Sequence, residues 1–214
     1  MKQIFYATNN PGKKFEVGRQ LLSAGIEIIT PSDLGIDIDV DENGTTLEEN
    51  AILKVKGYRE LVKDKIILAD DTGLEIDSLN GEPGIHVRRW KDGKTRMCDQ
   101  ECIDYCIEKM NGIPKENRGA QFRTVLALSF PDNEIELFDG ILRGYILEEP
   151  SILRVEGFPF ESLFMTDSNT LLGDDRQIPV EERNGRLNHR ERAIDKVIKR
   201  LEKDIFWVKD KDYQ

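Results

Sequence analysis

The sequence predicts an α/β protein, a mixed sheet with flanking helices, and three observations support that fold class. Between residues 2 and 69, apolar strands alternate with helices in the order β, α, β, α, β, which is typical of an α/β sheet. A strongly apolar strand, FRTVLALSF, follows at residues 122–130. The segment from His189 to Lys203 repeats apolar residues at helical spacing, which predicts an amphipathic helix.

The first predicted helix follows a strand at residues 2–8 and a loop, TNNPGKK, at residues 8–14. Asn10 is a typical N-cap residue, and Pro11 suits the first helical position. Gly25 is expected to end this helix, and Ile26 begins the next strand, which runs to Thr30. Backbone N–H groups at such a helix start attract anions.

The second predicted helix begins at Thr46, where Thr followed by Glu49 three positions later forms a capping-box pattern. It runs to about Leu61 and leads to the strand Ile66–Ala69. Two adjacent carboxylates then follow. Ligands of open α/β sheets bind beyond the carboxyl ends of strands, so this position suits a binding site. An Asp-Thr-Gly turn whose side chains bond the local backbone fits the stretch equally well.

The second half of the chain is predicted to contain a loop at residues 80–95, a helix at about 98–110 and a hairpin. In the hairpin, the strand at 122–130 pairs with Ile135–Arg143. We expect a single domain, residues 1–214, in which residues 77–150 form a second lobe.

Composition narrows the classes of function. The net charge of -10 argues against a nucleic-acid binder, and no apolar run approaches the roughly 20 residues of a membrane span. The N-terminus lacks the pattern of a signal peptide, so we expect a cytoplasmic protein without membrane attachment. An anionic substrate would need local basic residues or a metal ion to overcome the repulsion from this net negative charge.

Cys98, Cys102 and Cys106 are spaced i, i+4, i+8, which would place them on one face of a helix. A metal or iron–sulfur site is one interpretation. A packing stripe of reduced thiols is favoured, because free cysteine behaves as a small buried hydrophobe and metal-type partners are missing nearby.

Three segments concentrate charged groups: Lys13 in the first loop, Lys54 on the second helix, and the carboxylates after the third strand. Mg²⁺ is often held by one or two carboxylates together with substrate phosphates. The combination suits Mg²⁺-assisted chemistry on a polyphosphate. The patterns GxxxxGK[ST] and GxGxxG are absent from the sequence, which excludes P-loop and Rossmann interpretations.

Ordered motifs over nearly the whole chain resemble the inosine triphosphate pyrophosphatase family. ATNNPGKKFE is similar to that family's A-[TS]-x-N-x-x-K-x-x-E, and TTLEENAILK to T-x-x-E-N-A-x-x-K. LADDTGLEIDSLNGEPGI resembles A-D-D-[ST]-G-L-x-V-D-x-L-x-G-x-P-G-[IV], and NHRERA resembles S-H-R-x-x-A. The resemblance implies an elongated α/β fold with two lobes around a central substrate groove, usually a homodimer.

The resemblance also implies roles for individual residues. Asp71 would activate the attacking water and bind Mg²⁺ with Glu49, with Asp70 as an alternative ligand, and Lys54 would assist catalysis. The implied substrate-binding residues, which contact the phosphates, the sugar or the base, are Thr8, Asn10, Lys13, Lys54, Thr72, Phe158, Phe160, Glu161, Arg183, His189 and Arg190. Among these, His189 and Arg190 would read the purine 6-oxo group, and Phe158 would stack on the base.

Departures from the family pattern cluster around the implied base contacts. The family's G-F-G-[YW]-D-P-[IV]-F is GFPFESLF here, so that Glu161 replaces an aspartate. Asn188 replaces the serine before His-Arg, and Arg183 replaces a lysine. The phosphate and metal residues are intact, so we expect a working triphosphate site in which base selectivity or base affinity is altered.

The implied function is hydrolysis of ITP, dITP and XTP to the monophosphate and pyrophosphate, which removes aberrant purines from the nucleotide pool. An alternative is a sensor that binds dITP or ITP with little turnover and signals to a partner protein. A third interpretation, a Maf-type pyrophosphatase acting on other bases, fits the A-D-D-[ST]-G-L and His-Arg-x-x-Ala motifs poorly.

Overall fold

A computed structural model of the chain describes residues 2–179, 182–183 and 185–209, with side chains up to residue 203. Its strands are β1 (Lys2–Tyr6), β2 (Ile26–Ile29), β3 (Ile67–Ile76), β4 (Pro83–Gly84), β5 (Gly119–Ser129), β6 (Ile135–Ile146) and β7 (Phe164–Thr166). Its helices are α1 (Pro11–Ser23), α2 (Leu47–Arg59), α3 (Asp99–Lys109), α4 (Leu172–Gln177) and α5 (His189–Lys209). The predicted α/β fold class is confirmed.

The strands form a mixed sheet in the order β2-β1-β3-β5-β6-β7, and β4 pairs with β3. β1 is parallel to both β2 and β3, with Tyr6 opposite Leu68. β3 is antiparallel to β4, and β6 is antiparallel to β7. Parallel pairing of the first three strands follows from the helical crossovers α1 and α2 between them.

The chain divides into two compact units, each built from several segments. Unit 1 comprises Met1–Asp71, Val125–Gly140 and Arg190–Gln214, and unit 2 comprises Thr72–Thr124 and Ile141–His189. The strands β3, β5 and β6 each contribute residues to both units. These boundaries differ from the single continuous lobe expected at residues 77–150, since residues 125–140 belong to unit 1.

The core of unit 1 lies between β1, α1 and the C-terminal helix. Val17 and Leu21 of α1 pack with Ile4 of β1 and with Ile194 and Val197 of α5, and all five are at most 2% exposed. The predicted apolar face of α5 is therefore buried as expected, and it covers the strands that carry the charged residues described below.

The core of unit 2 is built on α3 and several aromatic side chains. Trp90 packs edge-on against both Tyr105 and Phe160, at ring centroid distances of 5.4 and 6.0 Å. Arg118 is buried and donates hydrogen bonds to the carbonyl groups of Ile146, Met110, Ile113 and Leu147. A single side chain thus satisfies four backbone acceptors in this unit, which stabilises the surrounding loops.

The strand predicted at Ile66–Ala69 is longer than expected, and its placement corrects one inference. β3 continues to Ile76, so that Asp70 and Asp71 lie inside the strand and not beyond its end. The reason is a change of partner: parallel pairing with β1 ends at Leu68, and antiparallel pairing with β4 begins at Leu74. The two carboxylates therefore lie just beyond the carboxyl end of the parallel pairing.

The cysteines also differ in part from their predicted arrangement. Cys102 and Cys106 are buried in the unit 2 core, whereas Cys98 is exposed and precedes α3 as its N-cap. Burial raises the pKa of the Cys106 thiol to about 12. Two of the three cysteines are packing residues, and all three are free thiols.

None of the helices within the described part of the chain combines the length and the apolar character needed to cross a membrane.

Candidate functional site

The predicted site residues of unit 1 converge on a buried carboxylate, Asp70, which is 1% exposed. Its Oδ1 accepts a hydrogen bond from the Tyr6 hydroxyl at 2.9 Å. Its Oδ2 lies 2.9 Å from Nζ of Lys13 and 3.1 Å from Nε of Arg190. Burial alone would raise the pKa of Asp70, but Lys13, Arg190 and Lys54 together hold it well below its usual range. Asp70 is therefore an ionised anchor for two cations.

Lys13 is positioned by the start of α1. Asn10 caps this helix as predicted, and its Oδ1 accepts hydrogen bonds from the backbone N–H groups of Gly12 and Lys13 at 2.9 and 3.2 Å. Thr8 Oγ1 accepts a hydrogen bond from the backbone N–H of Asn10 at 3.2 Å. Burial lowers the pKa of Lys13 despite the neighbouring Asp70 carboxylate. This ammonium group is thus held at a helix N-terminus, where an anion is favoured.

Asp71 differs from Asp70 because its carboxylate has weaker partners and more exposure, 9% against 1%. It accepts hydrogen bonds from Nδ2 of Asn50 at 3.1 Å and from Nζ of Lys54 at 3.3 Å. Both donors come from α2, where residues four apart share a face. The arrangement orients the Asp71 carboxylate while leaving lone pairs outside these two bonds.

Lys54 bridges three oxygen atoms. Besides Asp71, its Nζ lies 2.9 Å from the backbone oxygen of Asp70 and 2.7 Å from Oε2 of Glu42. Burial lowers the pKa of Lys54, but the carboxylates of Asp71, Glu42 and Asp70 outweigh that effect and raise it. The oxygen atoms around this ammonium group form a cation-binding environment.

Arg190 is held by a second carboxylate as well as by Asp70. Its Nη1 donates to Oε2 of Glu16 at 2.8 Å, and both side chains are almost fully buried, at 1% and 3% exposed. Burial lowers the pKa of Arg190, but Glu16 and Asp70 raise it above its ordinary value. We call the residues that share these ionic contacts the Asp70 cluster: Lys13, Glu16, Glu42, Lys54, Asp70, Asp71 and Arg190.

Glu49, the second predicted metal ligand, lies on the exposed first turn of α2. Its Oε2 accepts hydrogen bonds from the backbone N–H and the hydroxyl of Thr45, at 2.6 and 2.9 Å. These bonds lower the pKa of the Glu49 carboxyl. The predicted capping box forms in part. Thr46 Oγ1 accepts a hydrogen bond from the backbone N–H of Glu49, and the Glu49 carboxylate accepts its hydrogen bonds from Thr45. Its role at a metal ion stays a prediction.

The donor set of the Asp70 cluster fits Mg²⁺ better at Asp71 than at Asp70. Both oxygens of Asp70 already contact cations or a hydroxyl, whereas Asp71 accepts two hydrogen bonds within the described residues, at 3.1 and 3.3 Å. No group of three or more His, Cys, Asp or Glu side chains close enough to hold a metal occurs within the described residues. A magnesium site here would therefore depend on one or two carboxylates plus substrate phosphates.

In unit 2, Glu161 lies on the 3-10 turn Pro159–Ser162 and is 2% exposed. Nε of Arg176 approaches its two carboxylate oxygens at 3.0 and 2.8 Å, and Nη2 of Arg176 also contacts Oε1. The same guanidinium group lies over the ring of Phe158, 3.9 Å from its centroid. We call these three residues the Glu161 cluster.

The remaining predicted residues of unit 2 lie in several places. Phe160 is 1% exposed and packs against Trp90 in the core, so it anchors the 3-10 turn Pro159–Ser162 to the core. His189 stacks on Phe122, with ring centroids 4.9 Å apart and planes at 15°. Arg183 Nε donates to the carbonyl group of Ile178 at 2.6 Å. Thr72 shares a hydroxyl hydrogen bond with Thr124 at 2.7 Å.

Among the residues that the prediction of the site missed are three charged side chains and one tyrosine that contact the Asp70 and Glu161 clusters. Tyr6 and Glu16 contact Asp70 and Arg190, Glu42 contacts Lys54, and Arg176 contacts Glu161. Glu16 is the last residue of the quoted motif ATNNPGKKFE, so its buried charge could have been suspected. Nothing in the sequence pairs Arg176 with a residue 15 positions earlier.

The chain is similar to known proteins over nearly its whole length. The model of the Ham1 family matches residues 4–200. The chain is 36% identical to the dITP/XTP pyrophosphatase of Bacillus subtilis over 204 residues, covering 94% of this chain and 98% of that protein. It is 32% identical to the enzyme of the same name from Caldanaerobacter subterraneus, covering 95% of this chain and 100% of that protein.

Two solved structures have the same fold. The Staphylococcus aureus Ham1 protein superimposes with a TM-score of 0.75 at 33% identity, covering 95% of this chain and 100% of that one. A Ham1 protein from Coxiella burnetii gives a TM-score of 0.77 at 26% identity, also covering 95% and 100%. With these matches and the motifs that form the Asp70 cluster, the chain belongs to the Ham1 family.

Proposed function

We propose that this protein hydrolyses the aberrant purine nucleoside triphosphates ITP, dITP and XTP to the monophosphate and pyrophosphate, with Mg²⁺ as cofactor. The observation that carries the proposal is the direct bonding of two lysines, Lys13 and Lys54, to the adjacent residues Asp70 and Asp71. The names of the relatives, dITP/XTP pyrophosphatases, support the substrate class.

The two lysines supply charge for the leaving pyrophosphate. Lys13 lies at the N-terminus of α1 and Lys54 on α2, and their side chains are 17% and 12% exposed. Both are already ordered by carboxylates, so little reorganisation is needed when phosphate oxygens replace or join those partners. Donors fixed in this way stabilise charge that develops in the transition state.

Asp71 is the proposed general base. Its carboxylate contacts Lys54, is oriented by Asn50, and is more exposed than Asp70. It can accept a proton from a water molecule attacking the α-phosphorus. Mg²⁺ bound by Asp71, with Glu49 or Glu42 as a second carboxylate, would neutralise charge on the phosphate oxygens. Asn10 and Thr8 keep the loop before α1 in place.

Base selection is assigned to hydrogen-bond donors. The purine 6-oxo group accepts hydrogen bonds, whereas the 6-amino group of adenine donates them. Arg190 and His189, which begin α5, are proposed to read this difference, with Arg183 as a further donor and Phe158 as a stacking surface. Sites built on such hydrogen bonds discriminate by about 10⁴-fold or more when the partner is wrong.

The test measures pyrophosphate release by the purified protein from ITP, dITP, XTP, ATP, GTP and dUTP, with Mg²⁺ and with EDTA. We expect the first three substrates to exceed ATP by at least about 100-fold in kcat/KM, and EDTA to abolish turnover. Equal, weak activity on all six would contradict the proposal. Tight binding of ITP or dITP without pyrophosphate release would instead support the sensor, whose partner protein would then be sought.

We further propose that the protein acts as a homodimer, as the family resemblance implies, and that it works in the cytoplasm. Light scattering after size-exclusion chromatography checks the dimer, and fractionation of the source cells checks the compartment. A monomer at micromolar concentration would contradict the first statement.

A further inference from the structure

The Glu161 cluster contains an aromatic ring that does not belong to the hydrophobic core. Phe160, Phe122 and Phe164 of unit 2 are core residues, whereas Phe158 is only partly buried. One ring face is covered by the guanidinium of Arg176 at 3.9 Å. A cation at this distance from an aromatic ring is an attractive contact, so Arg176 restricts the orientation of Phe158 outside the core.

The same guanidinium group holds Glu161. Two Nε contacts, at 3.0 and 2.8 Å, and one from Nη2 together engage both carboxylate oxygens. The side chains are 13% and 3% exposed, so the pair is largely removed from water. A bidentate arginine contact is both stronger and more directional than a lysine contact.

The backbone keeps Arg176 at this distance from Glu161. Arg176 lies on α4, and a Cβ atom added to Gly173 of this helix would come within 3.4 Å of the carbonyl oxygen of Glu161. Leu172, beside that glycine, is buried in the unit 2 core. The helix therefore packs directly on the turn that carries Glu161, and the ion pair does not depend on a flexible loop.

An unpaired carboxylate near a purine would select the wrong base. Guanine presents two parallel donors, N1–H and the exocyclic amino group, which match the two oxygens of a carboxylate. Hypoxanthine has N1–H but lacks the amino group. A free carboxylate therefore favours guanine over hypoxanthine, and specificity against guanine requires that this acceptor pair be removed.

We propose that Arg176 is a specificity-determining positioning residue, which occupies both oxygens of Glu161 and so excludes guanine nucleotides from the base site. It also holds Phe158 in the orientation for stacking. The inference rests on the proposed function, because Phe158 and Glu161 are base contacts only in that proposal. Arg176 itself acts through these two residues.

The experiment compares wild-type protein with Arg176→Met, Arg176→Lys, Glu161→Gln and the double variant Arg176→Met/Glu161→Gln. Values of kcat and KM are measured for GTP, ITP and ribose 5′-triphosphate, which has no base. Thermal stability is measured in parallel. Arg186→Met is the matched control, because Arg186 also pairs with a carboxylate of unit 2, Asp175, at 3.0 Å.

We expect Arg176→Met to raise the ratio of kcat/KM for GTP to that for ITP by about tenfold or more, mainly through KM. Glu161→Gln in the double variant should return the ratio to near the wild-type value, since glutamine presents one acceptor oxygen and a donor amide in place of two acceptor oxygens. Arg176→Lys should give an intermediate ratio, because an ammonium group lacks the planar fork that matches a carboxylate. This variant provides the test if Arg176→Met does not fold. Turnover of ribose 5′-triphosphate should change less than threefold.

A merely structural role gives a different result. If Arg176→Met and Arg176→Lys lower thermal stability while the GTP to ITP ratio stays within twofold of wild type, the inference is wrong. It is also wrong if Arg186→Met changes the ratio as much. If wild-type protein releases no pyrophosphate from ITP, the proposed function fails, and the ratio of dissociation constants for GMP and IMP in the same variants then decides the inference separately.

Discussion

The Asp70 cluster of unit 1 and the Glu161 cluster of unit 2 both bury charge, but they do so differently. In the Asp70 cluster, carboxylates and cations share partners: Asp70 contacts two cations, and Lys54 contacts two carboxylates. In the Glu161 cluster, one arginine engages one carboxylate through both of its oxygens. A shared network can exchange partners for phosphate or a metal ion, whereas a carboxylate held by a bidentate arginine has no place for a second pair of parallel donors.

Within the Asp70 cluster, two adjacent residues of one strand have separate tasks. Asp70 is fully buried and anchors Lys13 and Arg190, while Asp71 is more exposed and has weaker partners. Successive residues of a strand point to opposite faces, so neighbours in sequence meet different surroundings. The comparison leads to four predictions, given in order of expected size.

The largest effect is expected for Asp71→Asn, which removes the proposed general base. We expect kcat for ITP to fall by about 10²- to 10⁴-fold, the range for a lost general base, with little change in stability. The measurement is pyrophosphate release under saturating substrate, and Asp64→Asn, an exposed carboxylate of unit 1, is the control. Activity retained by Asp71→Asn would assign the catalytic role to another residue.

Asp70→Asn should destabilise the protein, because Lys13 and Arg190 would lose the carboxylate that they share. Breaking a buried ion pair by removing one partner typically costs about 3–5 kcal/mol of unfolding free energy. Urea denaturation measures this loss. Asp139→Asn, at a surface pair with Lys196, should change stability by less than about 1 kcal/mol. Equal losses of stability for Asp70→Asn and Asp139→Asn would show that a buried ion pair of the Asp70 cluster contributes no more to stability than a surface ion pair.

The pH dependence of Lys13 should differ from that of an ordinary lysine, whose pKa is about 10.4. Burial lowers the pKa of Lys13. As the pH rises, Lys13 therefore loses its positive charge, and with it phosphate binding, at a lower pH than an ordinary lysine would. We expect the alkaline decline of kcat/KM for ITP to move to higher pH in Lys13→Arg, since arginine stays protonated. Ionisation of the hypoxanthine base is common to both proteins. Coincident alkaline profiles would contradict the assignment.

The smallest effect is expected for Glu42→Gln, which removes the exposed partner of Lys54. The Glu42 side chain is 36% exposed and that of Glu161 is 3% exposed. We therefore expect Glu42→Gln to change the unfolding free energy by less than about 1 kcal/mol, and Glu161→Gln to reduce it several-fold more. Chemical denaturation of the two variants side by side measures the difference. A larger loss for Glu42→Gln would mean that the Asp70 cluster depends on its exposed carboxylate.

Much of the fold could be predicted, because it depends on local patterns. Asn10 and Pro11 mark the start of α1, and the apolar spacing after His189 marks α5. The predicted ends of strands were less accurate, because strand ends depend on pairing with other strands. The predicted end of β3 at Ala69 was wrong, since Asp70 and Asp71 are polar and yet lie in a strand that pairs with β1 before them and β4 after them.

The sequence by itself determined the fold class, the helix caps and the motifs that carry Lys13, Lys54 and Asp71, because each depends on residues close together in the chain. Only the tertiary structure decided the partners: Glu16 for Arg190, 174 positions away, and Arg176 for Glu161. The physical reason is that a buried charge must find an opposite charge nearby in space, and its distance along the chain does not enter that requirement. The different roles of Asp70 and Asp71 follow from their contacts and their burial. The sequence alone could not distinguish them, because both residues are aspartate.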